Sequence, residues 1–181
     1  MTNLRIIIAT ALIATSTAAS AQAVPRSTEA SRLLAAHNRE RAAVDAPPLE
    51  WDETLAVHAA SYGPVLASLR HLVHSPREGR PGERENLAMA WHGSLSPEQL
   101  VGMWASEREQ LEPGSYLFPG RSRTGRWEDI AHYSQMVWPT TTRVGSAIYS
   151  VDWDYLICRY SPPGNKDGKP IFVNASLALG R

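Results

Sequence analysis

The chain has 181 residues, of which 43% are hydrophobic and 20% are charged, and its 18 basic residues balance its 18 acidic residues. This length and composition are typical of a single globular domain. The charge balance argues against a nucleic-acid-binding protein, which would normally carry a basic surplus.

The N-terminal segment has the pattern of a cleaved secretory signal peptide. Arg5 supplies a positive charge, an apolar run follows from Ile6 to Ala14, and Ala19-Ser20-Ala21 offers a small-residue cleavage site. The run is too short to anchor a protein stably in a membrane. We therefore predict a signal peptide over residues 1–21, a linker over residues 22–30, and a secreted protein, extracellular or periplasmic, that has no stable membrane anchor after cleavage.

The single cysteine, Cys158, leaves an exported chain without an internal disulfide, so packing must supply the stability. It follows the apolar residues Tyr155-Leu156-Ile157, which indicates a buried strand position. We interpret Cys158 as an inert buried thiol rather than a nucleophile.

Two helices are predicted in the first part of the chain. The first covers residues 27–44, and its Arg39-Glu40-Arg41 run is interpreted as a solvated flank. Asp52 is a good N-cap for the second helix, which Gly63-Pro64 should bend or interrupt. The polar, glycine- and proline-rich residues 70–84, which include His71 and His74, are predicted to form a loop.

Two glutamates occupy unusual positions in the middle of the chain. Glu85 begins an apolar segment, residues 85–91, that we interpret as a compact helical turn. Ser96 begins the next helix with a capping-box pattern. Along that helix Glu107 shares a face with apolar residues, and a carboxylate in such a place needs a partner.

His132 lies in a segment rich in functional side chains, Ala131 to Trp138. At helical spacing it sits beside the apolar face that contains Tyr133 and Val137. A histidine there can have its tautomer fixed and its metal affinity tuned. The alternative is a core histidine that is merely hydrogen-bonded.

The last part of the chain favours strands. Residues 143–149 and 155–160 have strand composition, and residues 171–173 are a weaker third candidate. Helices followed by antiparallel strands predict an α+β domain with helices packed against a sheet.

Four polar residues, His74, Glu85, Glu107 and His132, are the candidate site. The two imidazoles would bind a divalent metal directly, and the two carboxylates would complete the shell or hold the histidines through their other ring nitrogen. Nucleophilic catalysis is a weaker prediction, because neither Ser75 nor Ser134 lies in a Gly-x-Ser-x-Gly elbow.

Several ordered motifs over about residues 30 to 175 resemble the CAP superfamily of cysteine-rich secretory proteins, venom antigens and plant pathogenesis-related proteins. The matching segments are His37-Asn38 with Arg41, Leu49-Glu50-Trp51-Asp52, Glu85-Asn86-Leu87-Ala88, Trp104 to Glu107, His132 to Trp138, and Tyr155 to Asn165. The single cysteine fits a bacterial-type member that lacks the disulfides of eukaryotic relatives.

The resemblance implies a three-layer α-β-α sandwich with a central antiparallel sheet over residues 31–178. It also implies a cleft tetrad of His74, Glu85, Glu107 and His132 that holds Zn²⁺ or another divalent cation. A lipid or sterol is the implied ligand, and a monomer the implied state.

Four departures from the family pattern bear on the site. Ala131 and Arg84 replace glycines that usually precede the histidine and the glutamate, and Lys166 stands where an apolar or amide residue is common. The loop before Glu85 is also longer than in compact members, which leaves His71 as an alternative to His74.

Three functional hypotheses follow. The first is a secreted CAP protein whose cleft binds a divalent metal and a small or lipid-like ligand, without catalysis. The second is a metal-dependent hydrolase in which Glu85 or Glu107 is the catalytic general base. The third is a non-catalytic structural or interaction protein in which the tetrad is a buried hydrogen-bond network.

Overall fold

The computed structural model of the protein describes residues 28–174. The predicted signal peptide, most of the predicted linker and residues 175–178 of the predicted domain lie outside the described residues. The first helix begins at Glu29, inside the predicted linker.

Local capping signals set the starts of the longer helices. Asp52 accepts a hydrogen bond from the backbone N–H of Leu55 at 3.1 Å, and Ser96 forms the predicted capping box with Gln99. The helices are α1 Glu29–Ala42, α2 Glu53–Leu69, α3 Pro97–Ala105 and α4 Ala131–Met136, with 3₁₀ turns at Arg77–Gly79, Ser106–Gln110 and Trp127–Ile130.

Four strands form one sheet. They are β1 Glu50–Trp51, β2 Arg84–Trp91, β3 Arg143–Ser150 and β4 Trp153–Ser161, in the order β1-β3-β4-β2. The long strands pair antiparallel, whereas the short β1 pairs parallel with β3. The sheet is therefore mixed, and the expectation of an antiparallel sheet holds for its three long strands.

The alternating side chains of β4 divide the core into two layers. Leu156 and Cys158 belong to a cluster with residues of α1, α3 and α4, whereas Tyr155 and Ile157 pack with residues of α2. Because successive strand residues face opposite sides of a sheet, the sheet lies between two helical layers. The predicted α+β class and three-layer sandwich are confirmed.

The segment that begins at Glu85 was predicted as a helical turn, and this prediction is wrong. Residues 84–91 form β2, which pairs with β4 along its whole length. Leucine, alanine and methionine favour a helix locally, but pairing with a distant strand decides the conformation. Because residues 85–88 are buried on both faces, the apolar pattern of the segment shows no strand periodicity.

The solvated flank predicted at residues 39–41 is also wrong, because Arg41 is fully buried and Glu40 nearly so. The Arg41 guanidinium donates to the backbone carbonyls of Pro47, Met136, Trp138 and Thr141 at 2.6–3.0 Å. Burial lowers its pKa to about 10. Arg41 thus joins α1 to the chain that follows α4.

Two smaller expectations also differ from the structure. Helix α2 continues through Pro64 without interruption. Residues 171–173 form no strand within the described chain, but Ile171 and Phe172 are buried in the core, and the Ile171 N–H donates to the Tyr116 carbonyl at 2.8 Å. Between residues 28 and 174, no helix has the length and hydropathy needed to cross a membrane.

Candidate functional site: a cleft with two histidine–glutamate pairs

A cleft of about 740 Å³ opens where the start of β2, the start of α4 and three loops meet. Its lining combines imidazoles, cationic side chains and aromatic rings. The lining residues are His74, Ser75, Arg77, Arg80, Arg84, Glu85, Phe118, Pro119, Trp127, Ala131, His132, Asn165, Lys166 and Asp167. His74, Glu85 and His132 of the predicted tetrad are on its wall, and Glu107 lies behind His132.

Glu107 fixes both the backbone and the ring of His132. One carboxylate oxygen accepts the backbone N–H groups of His132 and Tyr133 at 2.9 and 3.0 Å, and the other accepts His132 Nδ1 at 2.6 Å. The residue before α4 supplies no side-chain cap, so Glu107 satisfies the free N–H groups at the start of this helix. The Trp104 ring stacks beside the imidazole, with centroids 6.0 Å apart.

Glu85 holds His74 in the same manner. Its Oε1 accepts His74 Nδ1 at 2.7 Å and the Ser75 N–H at 3.0 Å. Its Oε2 accepts the Ser75 hydroxyl at 3.0 Å and lies 2.9 Å from Arg159 Nη2. The carboxylate is fully buried, which by itself raises its pKa, but the His74 hydrogen bond, the Arg159 charge and the Ser75 N–H together lower the pKa below its ordinary value.

The two pairs leave the same nitrogen free on each ring. A carboxylate accepts a hydrogen bond from Nδ1–H, so in the neutral ring Nδ1 carries the hydrogen and Nε2 keeps its lone pair. Neither Nε2 atom has a hydrogen-bond partner among residues 28–174. The His74 and His132 side chains are 54% and 30% exposed, so both remain open to the cleft.

Asparagine side chains connect the two halves of the cleft. Asn86, next to Glu85, donates from Nδ2 to the His132 carbonyl at 3.0 Å. Asn165 donates to the Ala131 carbonyl at 2.8 Å and accepts the Ser134 hydroxyl at 2.8 Å. These contacts fix the start of α4 against β2 and the loop after β4.

Sequence reasoning missed Arg159 as a member of the site. It is nearly fully buried on β4, directly opposite Glu85 in the strand register, and it also lies 3.8 Å from Glu83. A charged residue within an apolar strand is the one signal that could have drawn attention to it. Its partner follows only from the register of β2 and β4.

His71 lies outside this arrangement, whereas the Ser75 and Ser134 hydroxyls donate to Glu85 and Asn165 within it. His71 is exposed, its Nδ1 bonds the Leu69 carbonyl at 2.9 Å, and it does not line the cleft. The structure thus puts His74 rather than His71 beside Glu85. Neither Ser75 nor Ser134 hydrogen-bonds a histidine ring within the described residues, and burial raises the pKa of the Cys158 thiol to about 12.

The comparisons with known proteins agree with this architecture. Residues 34–160 match the sequence pattern of CAP, the cysteine-rich secretory protein family. This chain belongs to that family. The resemblance found in the sequence motifs is confirmed.

Relatives of known sequence and structure match most of this CAP chain. The pathogenesis-related protein PR-1 type of Sambucus nigra is 36% identical over 138 residues, which cover 74% of this chain and 76% of that protein. Pathogenesis-related protein 1C of Nicotiana tabacum is 36% identical over 138 residues, covering 75% and 76%. NaASP2, crystallised with Zn²⁺, has a TM-score of 0.66 and 25% identity, covering 81% of this chain and 86% of NaASP2.

His74 and His132 are the two imidazoles on the wall of the cleft. Between residues 28 and 174, no group of three or more histidine, cysteine, aspartate or glutamate side chains is arranged to hold a metal. The carboxylates of Glu85 and Glu107 instead accept hydrogen bonds from Nδ1 of the two histidines. Each of the two histidines, bonded to a carboxylate at Nδ1 and free at Nε2, has by itself the carboxylate–histidine arrangement typical of a metal ligand.

Proposed function

We propose that this protein is a secreted CAP protein whose cleft binds a divalent cation, Zn²⁺ in the first instance, together with a small or lipid-like ligand. The observation that carries the proposal is the pair of carboxylates, buried Glu85 and partly buried Glu107, each bonded to Nδ1 of one cleft histidine. A carboxylate that accepts a hydrogen bond from one nitrogen of an imidazole orients the ring for metal binding through the other nitrogen and raises its basicity.

The comparisons add support for the metal. NaASP2, which shares the fold and 25% of aligned residues, was crystallised with Zn²⁺. Zinc prefers nitrogen ligands and accepts four-coordinate sites in which protein side chains leave positions open. When bound, it would supply Lewis-acid character to whatever ligand completes its shell.

The aromatic wall supports a ligand with an apolar part. Phe118 and Trp127 meet edge-to-face, with ring centroids 5.5 Å apart, and with Pro119 they form one side of the cleft. Trp127 is 44% exposed, so an apolar ligand would remove a large ring from water. A sterol or fatty acyl chain is the proposed apolar component.

The hydrolase hypothesis has less support than binding. A glutamate that acts as general base needs a carboxylate oxygen within reach of the attacking water. All four oxygens of Glu85 and Glu107 already accept hydrogen bonds from protein groups, and Glu85 is completely buried. The geometry therefore favours a binding cleft.

Zinc retention tests the proposal. Metal-free protein is equilibrated with Zn²⁺, dialysed and analysed by plasma mass spectrometry. We expect about one zinc per chain in the wild type, little in His74→Ala or His132→Ala, and wild-type retention in the control His71→Ala. Retention no greater in the wild type than in His132→Ala would rule the metal site out.

The ligand is tested separately on the same preparations. Lipid extraction followed by mass spectrometry should recover a sterol or fatty acid from protein incubated with a mixture of both. A protein that takes up neither, while still retaining zinc, would limit the function to metal binding.

A further inference from the structure

One wall of the cleft is strongly cationic although the whole chain carries no net charge. Arg77, Arg80, Arg84 and Lys166 all line it, and the same four residues line a smaller adjoining cavity. None of them forms an ion pair with a carboxylate anywhere in residues 28–174, whereas most other arginines of that segment do.

Two of these guanidinium groups are anchored by backbone carbonyls. Arg84 donates from Nε to Gly164 at 3.1 Å and from Nη2 to Asn165 at 3.0 Å. Arg80, only 7% exposed, donates from Nε to Ser75 at 3.1 Å and from Nη1 to Glu83 at 3.3 Å. Each group therefore keeps one terminal nitrogen, Nη1 of Arg84 and Nη2 of Arg80, without a partner among the described residues.

The carboxylates near this wall offset its charge only in part, and none in the described part of the chain forms an ion pair with the four cations. Glu83, which lines the adjoining cavity, pairs with His58 at 2.7 Å. Glu85 is occupied by His74, Ser75 and Arg159. Asp167 shares the lining but makes no ion pair within residues 28–174. Burial lowers the pKa of Arg84, the neighbouring charges of Arg77 and Arg80 lower it further, and the charge of Asp167 opposes this shift only in part.

A phosphate group matches this arrangement better than a carboxylate does. It carries up to two negative charges and several terminal oxygens, so it can accept from two fixed guanidinium groups and a flexible ammonium group together. The anchoring of Arg80 and Arg84 also reduces the conformational entropy that such contacts would otherwise cost.

We infer that Arg77, Arg80, Arg84 and Lys166 form a binding site for the phosphate group of the cleft ligand. The ligand is either a phosphorylated lipid, with its headgroup on this wall, or a soluble phosphate monoester. The inference rests on the proposed function only in that the rest of the ligand would occupy the same cleft. Arg84 and Lys166 are two of the positions at which the sequence departs from the family pattern.

Titration of metal-free protein with inorganic phosphate tests the site. The ¹⁵N-labelled protein is first dialysed against a chelator, so that zinc cannot contribute. We expect saturable shifts of backbone amides near Asn165, weakened at higher ionic strength. Arg84→Gln should reduce the affinity about tenfold or more, because it removes a charge-assisted hydrogen bond.

Two further variants distinguish a loss of phosphate binding from a loss of folding in Arg84→Gln. Arg77→Gln combined with Lys166→Gln alters only exposed side chains and should weaken phosphate binding by a similar factor. Arg39→Gln removes the same charge as Arg84→Gln from an exposed position outside the cleft, and should leave phosphate binding unchanged. Shifts that do not saturate, or an equal loss in Arg39→Gln, would overturn the inference.

Vesicles identify the source of the phosphate group. Sedimentation with vesicles of phosphatidate in phosphatidylcholine, but not with phosphatidylcholine alone, would identify a lipid headgroup. Saturable phosphate binding without sedimentation would identify a soluble ester. Phosphate binding that survives in His132→Ala while zinc retention is lost separates this inference from the metal proposal.

Discussion

At the scale of single residues, the chemistry of the cleft depends on charges that are buried but compensated. Arg159 and Glu85 face each other across two strands, with exposed side-chain fractions of 5% and 0%. An ion pair this deeply buried adds little net stability over an apolar pair, but removal of one partner leaves an expensive unpaired charge. Arg159 therefore acts as a positioning residue that keeps Glu85 ionised and aimed at His74.

Substitution of Arg159 should destabilise the protein in a pH-dependent manner. Arg159→Met is expected to lower the free energy of unfolding near neutral pH by about 3–5 kcal/mol, because the buried Glu85 carboxylate loses its counter-charge. The pKa of Glu85 lies below its ordinary value of 4.5, so its ionised form adds stability above that value, and this contribution is lost as the pH falls through the folded pKa. The difference in free energy of unfolding between wild type and Arg159→Met should therefore become smaller as the pH falls.

Urea unfolding at a series of pH values measures this difference. Arg143→Met serves as the control, because Arg143 pairs with Asp52 at 2.6 Å but its side chain is 49% exposed. Removing an exposed pair should cost at most about 1 kcal/mol. A penalty for Arg159→Met that does not change with pH would show that Glu85 does not depend on this charge.

At the scale of elements, the contact between α2 and β3 depends on glycines. A Cβ at Gly145 would meet the backbone of Asp52, Leu55 and Ala56, and a Cβ at Gly63 would meet the Tyr149 ring. Backbone atoms cannot move aside as a flexible side chain can, so Gly145 sets how closely the start of α2 approaches the sheet. This contact fixes the position of α2, the helix that packs on the sheet face of Glu85 and Arg159.

Gly145→Ala should therefore destabilise the protein by about 3 kcal/mol or more through overpacking. The control Gly102→Ala adds the same methyl group inside α3, where no atom lies within 4 Å of the new Cβ. That control should stabilise the protein by about 0.5–1 kcal/mol, since alanine is the better helix former. Thermal unfolding of both variants measures their stabilities relative to the wild type. Equal changes in stability would contradict the close contact of Gly145 with the start of α2.

Elements that depend on local interactions can be predicted from the sequence, whereas elements that depend on distant parts of the chain cannot. The helix starts at Asp52 and Ser96 are predictable because a cap involves residues three positions apart. Strand β2 is not, since its conformation depends on β4, far away in the chain. Likewise, the burial of Arg41 requires carbonyl groups around α4 that no local pattern reveals.

The residues of the candidate site also differ in how far the sequence predicts them. Glu107 and His132 can be singled out from helical spacing alone, because a polar group beside an apolar face needs a partner. The choice between His71 and His74 depends on the path of a loop, and the contact of Arg159 with Glu85 depends on strand register. Neither can be deduced without the fold.

At the scale of the whole molecule, the three layers bring the two histidine–glutamate pairs to one end of the sheet. Glu85 is the second residue of β2, and Arg159 pairs with it near the end of β4. Glu107 follows α3 in the opposite helical layer and holds the start of α4. The cleft therefore lies where the two halves of the fold meet, and its cationic and aromatic walls come from the loops around that edge.

The tautomers of the two cleft histidines test the central claim most directly. Long-range ¹H–¹⁵N NMR of metal-free protein, at mildly alkaline pH, distinguishes a protonated Nδ1 from a protonated Nε2. We expect Nδ1–H on both His74 and His132, and a larger change of the Nε2 than of the Nδ1 resonances on addition of Zn²⁺, with His71 unaffected. Protonation at Nε2, or a zinc response at His71 instead of the cleft pair, would contradict it.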